Sequence, residues 1–299
     1  MNWKPADLPA LAGRTAIVTG GNSGIGFHTA KELAAHGADV VLAVRNVQAG
    51  NAAAAKMGGK VRVEQLDLAS QRSIREFAGR WDGPIDLLVN NAGLMEPPAW
   101  RATEDGHEIQ FGTNHLGHFA LTGRLLPKLL EAPAARVVSV ASLAHHRGNE
   151  SVVEGNPEAG YNKGRAYGNS KLANILFARE LQSRASQAGS KLTVTAAHPG
   201  VCVTGLVPDP DGWGANPVVR VALPKLMRIA LPGASAGAIP SLYAGTAAEP
   251  GSYTGPQWLQ EVRGPIGPGK LSKHARDEAL GKSLWDVSEE KTGVTFAFA

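Results

Sequence analysis

Six short runs of aliphatic and β-branched residues punctuate the first two-thirds of this chain: TAIVT at 15–19, DVVLAV at 39–44, VRVEQL at 61–66, IDLLV at 85–89, RVVSVA at 136–141 and LTVTAA at 192–197. Between them lie stretches with helical spacing of apolar residues, such as IGFHTAKELAAHG and SQRSIREFAGRW. A strand that is apolar on both faces has to be covered on both faces, which a parallel sheet with flanking helices achieves. Crossovers between parallel strands are right-handed, so the alternation predicts an α/β fold: a Rossmann-type, doubly wound parallel sheet with helices on both faces. It continues past residue 190 without a Pro/Gly/Ser-rich linker or an internal repeat, so a single domain over 1–299 is expected. Residues 205–234 break the rhythm, with Pro208, Pro210, Pro217, Pro224 and Pro232 among apolar residues. A long irregular segment inside a compact domain is usually functional.

The first run leads directly into TGGNSGIG, residues 19–26. Gly20, Gly24 and Gly26, with Asn22, Ser23 and Ile25 between them, follow a T-G-x-x-x-G-x-G spacing. Glycines there permit a tight turn and close approach of a pyrophosphate, while the free amides of the following helix favour an anion. A plain strand-to-helix turn is the bland alternative, and its place right after the first strand favours the dinucleotide. The second run ends LAVRN, with Arg45 and Asn46 where an NAD site would carry an acid. A guanidinium pairs with a phosphate through two parallel hydrogen bonds. NADP(H) is therefore expected, with NAD(H) the lesser alternative.

The chain has 299 residues, 43% hydrophobic and 19% charged, enough for a sizeable core. Its 30 basic and 26 acidic residues are scattered rather than clustered, which argues against a nucleic-acid partner despite a pI near 9.2. A single cysteine, Cys202, excludes an internal disulfide and a Cys-rich metal site. Pro5, Asp7 and Pro9 leave no apolar leader near the start, and no run approaches the roughly 18 apolar residues of a membrane span. A cytoplasmic location is the expectation.

Further marks follow in order: LDL at 66–68, NNAG at 90–93, Asn114 in FGTNHLGHF, Ser142 in VVSVASLAHHRG, the Y-x-x-x-K pair Tyr167 and Lys171 in RAYGNSKLAN, and HPG at 198–200. With these the chain resembles the short-chain dehydrogenase/reductase family, and more narrowly its retinol dehydrogenase-like branch, over nearly its whole length. The resemblance implies that Asp67, with Leu68, meets the adenine. It implies that Asn90, Ala92 and Gly93 line the adenine ribose and nicotinamide side, and that Pro199, Gly200 and Thr204 border the carboxamide. Ser142 and Tyr167 stand 25 residues apart, about twice the family's usual separation, and the inserted LAHHRGNESVVEGNPEAGYNKGRA is a feature of that branch. Ala141 stands where relatives often carry a second serine, so Ser142 rather than Ser139 is the catalytic candidate.

The family implies hydride transfer between nicotinamide and a carbonyl or alcohol carbon, which requires a proton to move at oxygen. A phenol with a pKa near 10 is a poor base at neutral pH. On a helix Lys171 falls on the same face as Tyr167, where its charge would favour the phenolate. Ser142 would hydrogen-bond the substrate oxygen. By resemblance Asn114 would hold a water linking Lys171 to solvent, and Tyr167 and Lys171 would also bind the cofactor, Lys171 at the nicotinamide ribose. No metal site is expected: His145 and His146, read as strand neighbours, point to opposite faces, and His115 and His118 read as packing beside Asn114. Gly21-Asn22-Ser23 is no hydrolase elbow, because Ile25 stands where G-x-S-x-G needs glycine.

Residues 201–243 mix Val, Leu, Ile, Met and Trp213 with prolines and read as a lid over an apolar pocket. The substrate expected is a hydrophobic carbonyl or alcohol. Lys225 and Arg228 suit a helix on a membrane surface, though an ordinary surface helix is preferred. A homo-oligomer is a further expectation from the resemblance. The alternative to an NADP(H)-dependent oxidoreductase is a cofactor-binding regulatory or scaffold protein on the same fold, without turnover.

Overall fold

A computed structural model of the chain describes residues 2–202 and 232–298. The six runs form β1 (Thr15–Thr19), β2 (Asp39–Val44), β3 (Lys60–Gln65), β4 (Leu87–Asn90), β5 (Arg136–Val140) and β6 (Thr193–Ala197). Two further strands, β7 (Tyr253–Trp258) and β8 (Arg263–Pro268), extend one sheet of order β3-β2-β1-β4-β5-β6-β7-β8. Pairing is parallel from β3 across to β7, and antiparallel only between β7 and β8. Neither β7 nor β8 reads as a strand from sequence, because YTGPQW and RGPIGP carry residues that strands avoid. Their prolines are accommodated because β8 is an edge and the pairing shifts register between Pro256 and Trp258.

The strands' alternation divides the core. On β1, Ile17 faces one side and Ala16 and Val18 the other. The Ile17 side packs with Phe77 of α3 (Gln71–Gly79), with Phe119 and Leu125 of α5 (Gly117–Leu130), and with Leu176 and Phe177 of α6 (Lys163–Gln187). Trp285 of α8 (Glu278–Thr292) closes that layer against Phe119 and Phe177. The opposite side packs with Ile25 and Leu33 of α1 (Gly24–Ala35), Ala53 of α2 (Val47–Ala54) and Leu242 of α7 (Ala234–Thr246). This is the doubly wound sheet expected.

One turn, α4 (Ile109–Phe111), passes through a π-helical stretch at Gly112–Leu116 before α5 begins. Such insertions cluster at functional sites, and this one holds Asn114. The expected lid divides in two. Residues 234–243 belong to α7, whose Ala238 and Leu242 are buried against the sheet, so they are core and not lid. Residues 203–231, with Trp213, Lys225 and Arg228, lie outside the described residues. No described helix is long and apolar enough to cross a membrane.

Candidate active site

Strand order reverses between β1 and β4, and in open α/β sheets the ligand crevice lies at the carboxyl ends of the strands at that switch. A cavity of about 720 Å³ opens there. Each strand supplies residues just past its end: Gly20 after β1, Arg45 and Asn46 after β2, Asp67 and Leu68 after β3, Ala92 and Gly93 after β4, Ser142 after β5, and Pro199 and Gly200 after β6. Asn22, Ser23, Gly24, Ile25 and Gly26 form the rim over β1.

The glycine loop is shaped by close approach. Gly20 and Gly24 take φ of 65° and 56°, the left-handed region. A Cβ on Gly26 would lie 2.6 Å from the carbonyl oxygen of Gly20 and 2.4 Å from Asn91 Nδ2. Asn46 caps α2 and Ser70 caps α3 through side-chain oxygens, whereas Ser23 makes no such bond to α1. Gly24, Ile25 and Gly26 of the first turn of α1 line the cavity, and the free amides of a helix start favour an anion. These residues fit the pyrophosphate of a dinucleotide.

Thr19 ties this loop to the end of β4. Its hydroxyl accepts from the amides of Asn91 and Ala92, each at 2.9 Å. The His118 ring lies between Thr19 Oγ1, 2.9 Å from Nε2, and the Asn114 carbonyl oxygen, 3.0 Å from Nδ1. Burial holds this imidazole down to about 4, so it is neutral. A neutral ring that donates from Nδ1 to a carbonyl must accept at Nε2, which fixes the tautomer and the Thr19 proton.

Ser142 sits where β5 ends and caps a 3-10 turn, Leu143–Arg147, by accepting from the Ala144 amide at 3.1 Å. Its carbonyl is held by His145 Nδ1 at 2.8 Å, while Nε2 of the same ring accepts from the Ser272 amide at 3.2 Å. Tyr167 lies in the second turn of α6, buried, with its hydroxyl hydrogen-bonded to Ser142. Lys171 lies one turn on, its Nζ 5.8 Å from the Tyr167 ring centroid and donating to the Val140 carbonyl at 3.1 Å. Asn114 donates to the Leu94 carbonyl and Ser170 Oγ and accepts from the Leu94 amide. A Cβ on Gly93 would meet Asn114 Oδ1 at 2.9 Å and Lys171 Nζ at 3.5 Å, so glycine lets both approach.

The electrostatics correct one expectation. Burial pushes the Tyr167 phenol up to about 12 and the Lys171 ammonium down to about 8. The hydrogen bond from Ser142 and the charge of Arg147 draw the phenol back, against Glu96 and Cys202. The lysine lies over the ring face, bonded to a carbonyl, so desolvation outweighs the depression expected from it.

Ser142, Tyr167, Lys171 and nearly all the expected cofactor residues meet in one cavity. Asn90 does not: it is fully buried and donates to Thr122 Oγ1 at 2.9 Å beneath α5, while its neighbour Asn91 lines the cavity. The β4 run is apolar on both faces, so its pattern did not tell which asparagine turns outward. Asn114 stands behind Gly93 rather than in the lining, and Thr204 lies outside the described residues. His145 and His146 sit on the 3-10 turn with ring centroids 4.0 Å apart, not on opposite faces of a strand. Cys202 lines the wall as a buried thiol pushed up to about 11. Met95, Thr113 and Arg147 also line the cavity and were missed. Among the described residues no group of His, Cys, Asp or Glu is placed to hold a metal.

Known proteins resemble this chain over most of its length. The family profile described as short chain dehydrogenase matches residues 14–211. Human retinol dehydrogenase 13 is 39% identical over 297 residues, covering 95% of this chain and 86% of that protein. Mouse retinol dehydrogenase 12 is 37% identical over 292 residues, covering 95% and 88%. A crystal structure of an uncharacterised protein from Mycobacterium paratuberculosis superposes with a TM-score of 0.84, at 41% identity and full coverage of both chains. An NAD(P)-dependent protein from Beutenbergia cavernae assigned as a gluconate 5-dehydrogenase, solved with bound NADP, gives 0.61 at 26% identity, covering 82% and 95%.

Proposed function

From the premise that this chain belongs to the short-chain dehydrogenase family, in its retinol dehydrogenase-like branch, we propose that it is an NADP(H)-dependent oxidoreductase of hydrophobic carbonyls and alcohols. The observation that carries the reading is the meeting of Ser142, Tyr167 and Lys171 in the cavity that the uncapped end of α1 also enters. A regulatory or scaffold protein on this fold has no need of that grouping.

Ser142, fixed through its backbone by His145, orients the substrate oxygen and donates to it as charge develops. Tyr167 moves the proton at that oxygen. Held near 12, the phenol is protonated at neutral pH, the form that gives its proton to the oxygen when a carbonyl is reduced. Lys171, near 8, keeps its charge at neutral pH beside the ring, where it would hold the nicotinamide ribose. When bound, the nicotinamide supplies or takes up the hydride at the substrate carbon. Arg45, at the end of β2, would pair with a 2′-phosphate. Leu94, Met95, Leu143, Ala144 and Val201 make the substrate side apolar, which supports a lipophilic substrate, as do the names of the retinol dehydrogenase relatives.

The test is a panel of decanal, benzaldehyde, acetophenone, retinal and the matching alcohols, each with NADPH or NADP⁺ and with NADH or NAD⁺. Turnover of the lipophilic carbonyls with NADPH is expected. A higher kcat/KM for small polar hydroxy acids would refute the substrate class, and a preference for NADH would refute the role of Arg45.

A further inference from the structure

Arg147 lines the cavity and is paired with Glu96, the residue that follows Met95 of the cavity wall. Arg147 ends the 3-10 turn that Ser142 caps, and its Nη1 lies 3.1 Å from Glu96 Oε1. The two partners differ in environment: the Arg147 side chain is 53% exposed and the Glu96 side chain 9%. Glu96 is held at a φ of 49° while its amide donates to Gln110 Oε1 at 2.8 Å, so a left-handed backbone is spent on placing this carboxylate. Arg147 lies along α6 over two glycines one turn apart. A Cβ on Gly164 would stand 3.3 Å from Arg147 Nη1, and one on Gly168 would stand 3.0 Å from Arg147 Cβ. The residue between those glycines that enters the same cavity is Tyr167.

We propose that Glu96 and Arg147 form a paired charge that sets how readily Tyr167 releases and regains its proton, Arg147 favouring the phenolate and Glu96 restraining it. Among the described residues, the titratable, charged and hydrogen-bonding groups near Tyr167 are Lys171 on its own helix, Ser142 and Arg147 from the turn after β5, Glu96 from the segment after β4, and Cys202 after β6. His118, beside Lys171, is neutral and brings no charge of its own. Lys171 and Ser142 are bound into the catalytic grouping itself. Arg147 and Glu96 are the fixed opposite charges whose effects on the phenol have opposite signs. The carboxylate is buried and the guanidinium half-exposed, so removing Arg147 takes away its influence on the phenol and leaves that of Glu96, while removing Glu96 does the reverse. Both are therefore positioning residues acting through Tyr167.

The inference rests on the proton-transfer role proposed for Tyr167. Its test is the pH dependence of kcat/KM for NADP⁺-linked oxidation of 1-phenylethanol, decanol and the other panel alcohols by the full chain. The base must be deprotonated, so the activity rises through an apparent pKa of the site. In Arg147→Gln that rise should move to higher pH by about half a unit or more, and in Glu96→Gln to lower pH by a similar amount, the size being limited by solvent around the guanidinium. Arg147→Lys should keep the parent's position. A merely structural role would lower rates without displacing the two profiles in opposite senses. Profiles that stay in place or move together would overturn the proposal, and if Arg147→Gln fails to fold, the direction in Glu96→Gln alone decides. Loss of turnover in Tyr167→Phe alongside undisplaced profiles would sink this inference only. Full activity in Tyr167→Phe, or no oxidation of any panel alcohol by the parent chain, would sink the catalytic reading and this inference with it.

Discussion

The cofactor side and the substrate side of the cleft are built from different materials. On the cofactor side the backbone makes or receives most of the contacts: the left-handed Gly20 and Gly24, the bare Cα of Gly26 against the Gly20 carbonyl, and the amides of Asn91 and Ala92 on the Thr19 hydroxyl. On the substrate side residues 143–162, the part of the insertion before α6, are held by side chains from distant parts of the chain. Buried Glu108 accepts from the Phe111 amide, Asn156 Nδ2 and Tyr161 Oη at 2.8, 3.0 and 2.9 Å. Asn169 of α6 joins in, donating to Asn156 Oδ1 at 3.0 Å and accepting from the Asn149 amide at 3.1 Å. A surface that recognises a common pyrophosphate can be made of backbone, which every sequence has. A surface that selects one substrate has to be made of side chains, and in this chain they form a polar brace around the start of α6.

The comparison predicts first that chemistry belongs to the substrate wall and cofactor binding to the other. Tyr167→Phe should lower kcat by about 10²–10⁴ and leave the dissociation constant for NADPH, read by fluorescence quenching, near the parent's. A comparable loss of NADPH affinity would mean that the two walls are not separable.

Acid is the next largest effect, and it reaches both sides. His118 on the cofactor side and His145 and His198 on the substrate side, with His115 in the core, are all buried and held low, to about 4, 4, 3 and 3. In each the largest cause is loss of hydration. Their native values lie below the unfolded value near 6.5, so the unfolded chain takes up protons that the native chain refuses. Stability is complete above about 6.5 and falls as pH drops towards the native values, by up to about 1.4 kcal/mol per pH unit for each ring. Urea melts at pH 7.5, 6 and 5 should show this decline, with a shallower slope in His145→Gln. Equal stability at pH 7.5 and 5 would contradict it.

A smaller change aims at the brace alone. In Glu108→Gln the amide end turns an N–H towards a donor and loses at least one hydrogen bond, costing about 1–3 kcal/mol. Limited proteolysis should then cut within 148–162 first, while NADPH binding holds. Global unfolding in place of local cleavage would show that the insertion is part of the main cooperative core.

How much of each wall could be read from sequence follows the same division. The six strands, the glycine loop and the pair Tyr167 and Lys171 were legible because each is a local pattern of spacing. Asn90 was misplaced for Asn91 because a strand apolar on both faces offers no alternation to orient its last residues. The brace was invisible because Glu108, Asn156 and Asn169 are brought together only by the fold. Arg147 was passed over as one charge in a polar insertion; its partner Glu96 lies 51 residues earlier. The hairpin of β7 and β8 was hidden by its own prolines, which an edge tolerates and a propensity reading does not.

The smallest effect is the most discriminating for the cofactor wall, because Asn46 has two readings. It was expected to meet the cofactor, and it borders the cavity, yet its Oδ1 accepts from the Ala49 amide at 2.9 Å and caps α2. Asn46→Ala removes the cap and should cost about 1 kcal/mol in stability. Asn46→Asp keeps an oxygen in the capping position and suits the positive end of the helix, so stability should hold or rise slightly. The new carboxylate would stand beside Arg45, however, where a 2′-phosphate is proposed to lie. NADPH affinity should therefore weaken in the aspartate variant by several-fold, more at low salt than at high, while NADH affinity changes little. Were both cofactors to weaken equally in the alanine variant, Asn46 would be a ligand in its own right. Were neither to respond to the aspartate, the phosphate would lie elsewhere, and the cofactor wall would owe less to side chains than even Arg45 suggests.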